Sequence, residues 1–260
     1  MSSPVPYTSE ACCQISPVNS AYQPKGEKIK LGKYDEVYAV GDKSSSTVVI
    51  NIFDIFGFYP QTQQGADIIA EKLGARVLMP DFFFGKPYPL DQFPAKTEEQ
   101  KKFYQNFFAT TASFGNVMPG LLDLAKELRE QGATKVFVYG FCWGGKVATL
   151  SGCKTTEVDG KTIPIFDAVA AIHPAMMSAE DGKHLLVPIA IFPSGDESVD
   201  EYKKLIDELK TKPWADKNAY RVYSNMHHGW AAARADLDNE DNNREYMDVY
   251  GRLVTFFQNA

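Results

Sequence analysis

The stretch Lys135-Val136-Phe137-Val138-Tyr139-Gly140-Phe141-Cys142-Trp143-Gly144-Gly145-Lys146-Val147-Ala148 runs from β-branched and aromatic residues into a segment of helical composition, with Cys142 at the junction. Gly140 and Gly144, two positions either side of Cys142, let a chain turn sharply from strand to helix and hold the apical side chain out as a candidate nucleophile. The helix that follows points its N-terminus at the apex. That favours a thiolate and offers backbone N–H groups, chiefly that of Trp143, to an oxyanion. The competing reading makes Cys142 a small buried hydrophobe and the glycines mere aids to close contact. Its place between strand and helix favours the elbow.

Working outward, β-rich runs occupy 34–40, 46–53, 75–80, 134–140, 166–173, 186–192 and 219–224, several of them nearly continuous in apolar residues. Such runs suit strands covered on both faces of a parallel sheet. Segments with helical spacing lie between them, at 62–73, 98–112, 116–131, 144–150, 199–210 and 241–258. The alternation predicts an α/β chain with a mostly parallel sheet flanked by helices on both faces, and active groups on loops at the carboxyl ends of the strands. Residues 1–33, punctuated by Pro4, Pro6, Pro17, Pro24, Gly26 and Gly32, read as an irregular N-terminal arm, and 34–260 as one domain.

Two later loops supply what the elbow requires. Pro193-Ser194-Gly195-Asp196 follows the run ending at Phe192, and Asn225-Met226-His227-His228-Gly229 follows the run ending at Ser224. Both open on the same sheet edge as Cys142, in the chain order nucleophile, acid, histidine. Alone, Asp196 reads as a turn or helix-cap residue; beside Cys142 and His228 it reads as the acid of a catalytic triad. His173, at the end of 166–173, either lines a pocket or only caps its loop.

The remaining composition excludes several classes. With 44% hydrophobic and 13% aromatic residues, the 260-residue chain can bury a sizeable core. A formal charge of -6 with no basic cluster argues against nucleic acid. The longest apolar stretch, around 48–59, carries Asn51 and Asp54 and is short for a bilayer. No secretory signal pattern opens the chain, so a cytoplasmic location is expected. Cys12, Cys13, Cys142 and Cys153 form no disulfide framework and, with the four histidines, no metal-ligand spacing, so neither metal nor cofactor is expected.

The motifs GFCWGG, SGDESV and HHGWAAARADL resemble the dienelactone hydrolase family, and particularly its fungal branch, over most of the chain from about Val48. The resemblance implies an α/β-hydrolase fold and a carboxylic ester hydrolase that opens an enol-lactone or similar small ester, with a Cys-His-Asp triad on Cys142, His228 and Asp196. It further implies a buried acid after the first long core strand, at Asp54, that modulates the thiol, although Asp54 also reads as an isolated polar break stabilised by loop N–H groups. The backbone N–H of Ile55 would then be the second oxyanion donor. Where bacterial relatives carry substrate-binding arginines this chain has Phe82-Phe83-Phe84-Gly85-Lys86 and Ala232. Candidate pocket residues are therefore Phe84, Lys86, Tyr88, His173, Trp230 and Arg234, although Lys86 and Arg234 also read as solvated charges and the phenylalanines as core.

Two other classes stay open at this point. One is a non-catalytic scaffold binding a small molecule or a protein. The other is a thiol redox sensor using Cys142 and Cys153, which a continuous helix would hold roughly 16 Å apart, beyond disulfide reach. The expected partner is a small-molecule ester or lactone, with the chain a monomer or homodimer.

Overall fold

A computed structural model describes residues 15–158 and 160–260. Cys12 and Cys13, with the rest of residues 1–14 of the arm, lie outside those residues. The described residues form ten strands: β1 Glu27–Leu31, β2 Tyr34–Val40, β3 Thr47–Ile52, β4 Arg76–Pro80, β5 Lys135–Phe141, β6 Thr155–Val158, β7 Lys161–Pro164, β8 Ala168–Ile172, β9 Ile189–Phe192 and β10 Ala219–Tyr220. Seven α-helices accompany them: α1 Pro60–Leu73, α2 Glu98–Ala109, α3 Phe114–Glu130, α4 Trp143–Ser151, α5 Ala179–Lys183, α6 Val199–Leu209 and α7 Glu240–Asn259.

Eight strands form one sheet in the order β1-β2-β4-β3-β5-β8-β9-β10. The first two pairings are antiparallel and the other five parallel. The central strands are buried almost throughout. Alternation along β5 explains why both faces are covered. Phe137 stacks on Phe257 of α7 at 4.8 Å between ring centroids and Phe141 meets Tyr250, so these side chains face α7, which also packs on α1. Gly140, on the opposite face, lies against α4. No helix among the described residues is long and apolar enough to cross a membrane.

The structure departs from the expected segments in four places. The stretch read as irregular to residue 33 contains β1, an edge strand paired with β2, and the residues before it are tied down. Val18 donates to the Ala233 carbonyl at 2.9 Å, and the Lys25 amide to Asp67 at 2.9 Å. Strand β9 begins only at Ile189, after Pro188, which has no N–H for the ladder. Regular strand β10 stops at Tyr220 rather than Ser224, yet the chain stays beside β9: the Arg221 amide donates to Ile191 at 3.3 Å, the Tyr223 amide donates to Pro193 at 2.8 Å, and Ser194 and Tyr223 form an isolated parallel bridge. The hairpin β6–β7 was hidden by its polar sequence, which carries no alternating apolar face.

Candidate active site

Cys142 sits at the turn between β5 and α4 with φ 53° and ψ −120°, a left-handed conformation that a non-glycine residue adopts at a cost of about 1–3 kcal/mol. The neighbourhood forces it. A Cβ on Gly140 would lie 2.2 Å from the Gly144 carbonyl oxygen, and one on Gly144 would lie 2.4 Å from that of Ile52. Only glycine admits this closeness of strand, turn and helix. The Cys142 amide donates to Ile172 at 3.2 Å, and its carbonyl accepts from Ala175 at 3.0 Å, pinning the turn to the end of β8. Inside α4, Lys146 forms a buried pair with Asp181 at 2.6 Å, which ties that helix to α5. Trp143 anchors the first turn through its indole N–H, 2.8 Å from the Ala112 carbonyl.

The expected oxyanion donors, Ile55 and Trp143, are both buried at the carboxyl ends of the adjacent strands β3 and β5. As the first helical residue, Trp143 has no partner for its amide within α4. The Ile55 amide donates to no main-chain carbonyl among the described residues.

Two loops from the far side of the sheet bring in the histidine and its acid. His228 is 1% exposed and its Nδ1 lies 2.6 Å from Oε1 of Glu197. Asp196, the expected partner of the ring, instead accepts the backbone N–H of His228 at 2.7 Å, and its residue is solvent-exposed. The division follows from reach. Asp196 lies in the turn after Gly195, whose amide donates to Met226 at 2.9 Å, so its short side chain spans only to the neighbouring main chain. Glu197 folds back under Ser194, accepting from the Ser194 hydroxyl at 3.0 Å and from the Ser194 amide, and its carboxylate meets the imidazole. One acid thus positions the backbone of the loop and the other the ring. His227 turns away, its Nδ1 3.0 Å from the His228 carbonyl, and Gly229 at φ 96° lets the chain leave the histidine toward Arg234.

Asp54 is buried at the end of β3, where one carboxylate oxygen accepts the Phe56 amide at 2.9 Å. Burial pushes its pKa up, against the opposing pull of the Arg234 guanidinium and the Phe56 amide. A raised folded-state pKa means that the folded chain holds this proton more tightly than the unfolded one. Stability is therefore lost as pH rises from the ordinary carboxylate range through the folded-state value. Asp54→Asn is accordingly expected to be more resistant to urea than wild type at neutral pH, with the gap closing as the pH falls toward 4. A variant less stable than wild type at pH 7 would contradict the buried-acid assignment.

The pocket candidates separate into two groups. Arg234 is 2% exposed, with its guanidinium 5.0 Å from the Phe56 ring and 5.2 Å from the Phe93 ring, and the field of its charge reaches Asp54 and His173. It is a buried cation at the site, not a solvated surface charge. His173 is buried with its ring 4.9 Å from that of His228. By contrast Lys86 is exposed, and Phe84 stacks on Tyr34 with half its surface in solvent. Tyr88 belongs to an aromatic cluster with Phe93, Tyr104 and Phe107, and Trp230 packs on Tyr223 at 4.5 Å, so both are core residues. The Phe56–Arg234–Phe93 sandwich carried no local sequence signal, since its parts lie far apart in the chain. Two surface cavities, of about 540 Å³ beside β10 and α7 and about 630 Å³ beside Phe103, do not include the elbow.

The family model described as the dienelactone hydrolase family matches residues 36–260. An uncharacterized AIM2 family protein of Schizosaccharomyces pombe is 33% identical over 254 residues, covering 95% of this chain and 98% of its own. A carboxymethylenebutenolidase homolog of Xenopus tropicalis is 27% identical over 245 residues, covering 91% of each. Among solved structures, one described as a putative dienelactone hydrolase from Klebsiella pneumoniae superposes with a TM-score of 0.65 at 16% identity, covering 86% of this chain and 92% of that one. Sheet order, elbow and family match agree: the chain is an α/β-hydrolase and belongs to the dienelactone hydrolase family.

Proposed function

We propose that this hydrolase cleaves a small ester or lactone by acyl transfer through Cys142, with His228 as base and Glu197, rather than Asp196, as the acid of the triad. The observation that carries the reading is the buried imidazole–carboxylate pair at 2.6 Å, held on loops that open on the same sheet edge as a strained cysteine at an elbow. Glu197 accepts the hydrogen bond of Nδ1–H and leaves Nε2 as the basic nitrogen. His228 then accepts the thiol proton as sulfur attacks the ester carbonyl, the oxyanion meets the N–H groups of Trp143 and Ile55, and the imidazolium returns the proton to the leaving oxygen. In the second half water attacks the thioester, His228 removes its proton, and the thiolate leaves. Asp54, kept toward its neutral form by burial, modulates the thiol from the β3 side.

A thiol nucleophile in this dry setting suits activated esters, whose leaving oxygen departs readily, better than amides. Burial also raises the Cys153 thiol pKa, and that residue lies beyond the far end of the nine-residue α4, which disfavours a resolving thiol and with it a redox sensor. The test is a panel of purified protein against enol lactones, aryl esters and thioesters, each in neutral and carboxylate-bearing form because Arg234 is a buried cation at the site. Turnover of at least one activated ester is expected. A folded wild-type protein inert toward the whole panel would leave a non-catalytic scaffold as the better reading.

A further inference from the structure

His173 is more unusual than a pocket-lining residue. It adopts φ 34°, its side chain is fully buried, and neither ring nitrogen has a hydrogen-bond partner among the described residues. An unsatisfied buried donor or acceptor destabilises the fold, and the backbone conformation adds to that. A simple core position would be filled more stably by an apolar side chain. The ring lies edge-on to His228 at 4.9 Å and packs on Phe141, the residue before the nucleophile. Burial, reinforced by His228 and Arg234, holds its pKa well below the ordinary histidine value, so the imidazole is neutral at pH 7, with one N–H and one bare nitrogen to offer.

Sheet order says which reacting oxygen those nitrogens meet. The nucleophile ends β5, the Ile55 amide follows β3 on one side of it, and His173 follows β8 on the other, toward the loops that carry Glu197 and His228. The carbonyl oxygen therefore points away from His173. The oxygen on the base side is the one that leaves in acylation and the one that attacks in deacylation.

Building on the proposed ester hydrolysis, we infer that His173 is a further catalytic residue, which binds the leaving-group oxygen and then the hydrolytic water and holds each in line with His228. His173 exchanges no proton. In acylation the S–C bond forms and the C–O bond breaks, with the proton passing from the thiol through His228 to the leaving oxygen. In deacylation the new C–O bond forms and S–C breaks, with the water's proton passing through His228 to the departing thiolate. His173 supplies only hydrogen bonds to the oxygen being exchanged.

The test uses stopped-flow release of p-nitrophenolate from an aryl ester, which separates the burst from the steady state. His173→Phe keeps the ring volume and removes both nitrogens, whereas His173→Asn restores a hydrogen-bonding group and tolerates the left-handed backbone. His173→Phe is expected to slow the acylation burst and the steady state alike, each about tenfold or more, so that KM changes far less than kcat, and His173→Asn to recover part of the loss. Unchanged burst and steady-state rates in folded His173→Phe, beside an active wild type, would overturn the inference while leaving the ester reading intact. An inert wild type would instead remove that reading. If neither variant folds, long-range 1H–15N spectra of wild type decide: a neutral ring whose nitrogen shifts move when a phosphonate caps Cys142 supports the role, and a charged or unmoved ring overturns it.

Discussion

Cys142→Ala should lower ester turnover by roughly 10⁴-fold or more, to the level that site binding alone can sustain, while Cys153→Ala stays within a few-fold of wild type. The asymmetry follows from placement. Cys142 is at the strained apex with its carbonyl and amide tied to the end of β8, whereas the Cys153 sulfur lies 3.9 Å from the Thr149 carbonyl beyond the end of α4. Because Cys142 is 2% exposed, the alanine variant loses little more than one sulfur from the core and should stay folded. Its circular dichroism and melting curve, measured beside kcat, separate loss of chemistry from loss of fold. Turnover retained in folded Cys142→Ala would mean a different nucleophile.

Replacing Glu197 by Gln should cost about 10³–10⁴-fold in kcat, and replacing Asp196 by Asn no more than about tenfold. Glu197→Gln keeps the shape but puts an uncharged amide against Nδ1. The imidazolium formed during each half-reaction loses its counter-charge, and a donating amide favours the wrong tautomer. The Asp196 carboxylate accepts from the backbone N–H of His228, a bond that the carbonyl of Asn can still accept. The two kcat values on one ester decide the matter. The reverse order, with Asp196→Asn nearly inactive and Glu197→Gln mild, would return the ring to Asp196.

That ranking marks where sequence ceased to be informative. The elbow was legible because it rests on local chemistry: a β-branched run, two glycines whose missing Cβ atoms would meet backbone, and a helix start at Trp143. The parallel core was legible from apolar runs, and the convergence of three loops from the chain order of Cys142, the acidic loop and His228. The choice between adjacent carboxylates was not, since the turn at Gly195 and the Ser194 contacts, invisible in one dimension, decide which side chain passes beneath the imidazole. Nor was the burial of Arg234, which depends on Phe56 and Phe93 meeting it from distant parts of the chain. The edge strand β1 escaped because the proline and glycine residues around it outweighed a short, half-exposed run.

Covalent capture addresses the acyl-transfer chemistry itself. Wild-type protein mixed with excess aryl ester and quenched in acid within the first turnovers should gain the mass of one acyl group, and peptide mapping should place it on Cys142. The acylated peptide should persist longer in Glu197→Gln and be absent in Cys142→Ala. An ester that is turned over with no acyl adduct, or with the adduct on another residue, would contradict nucleophilic catalysis by Cys142.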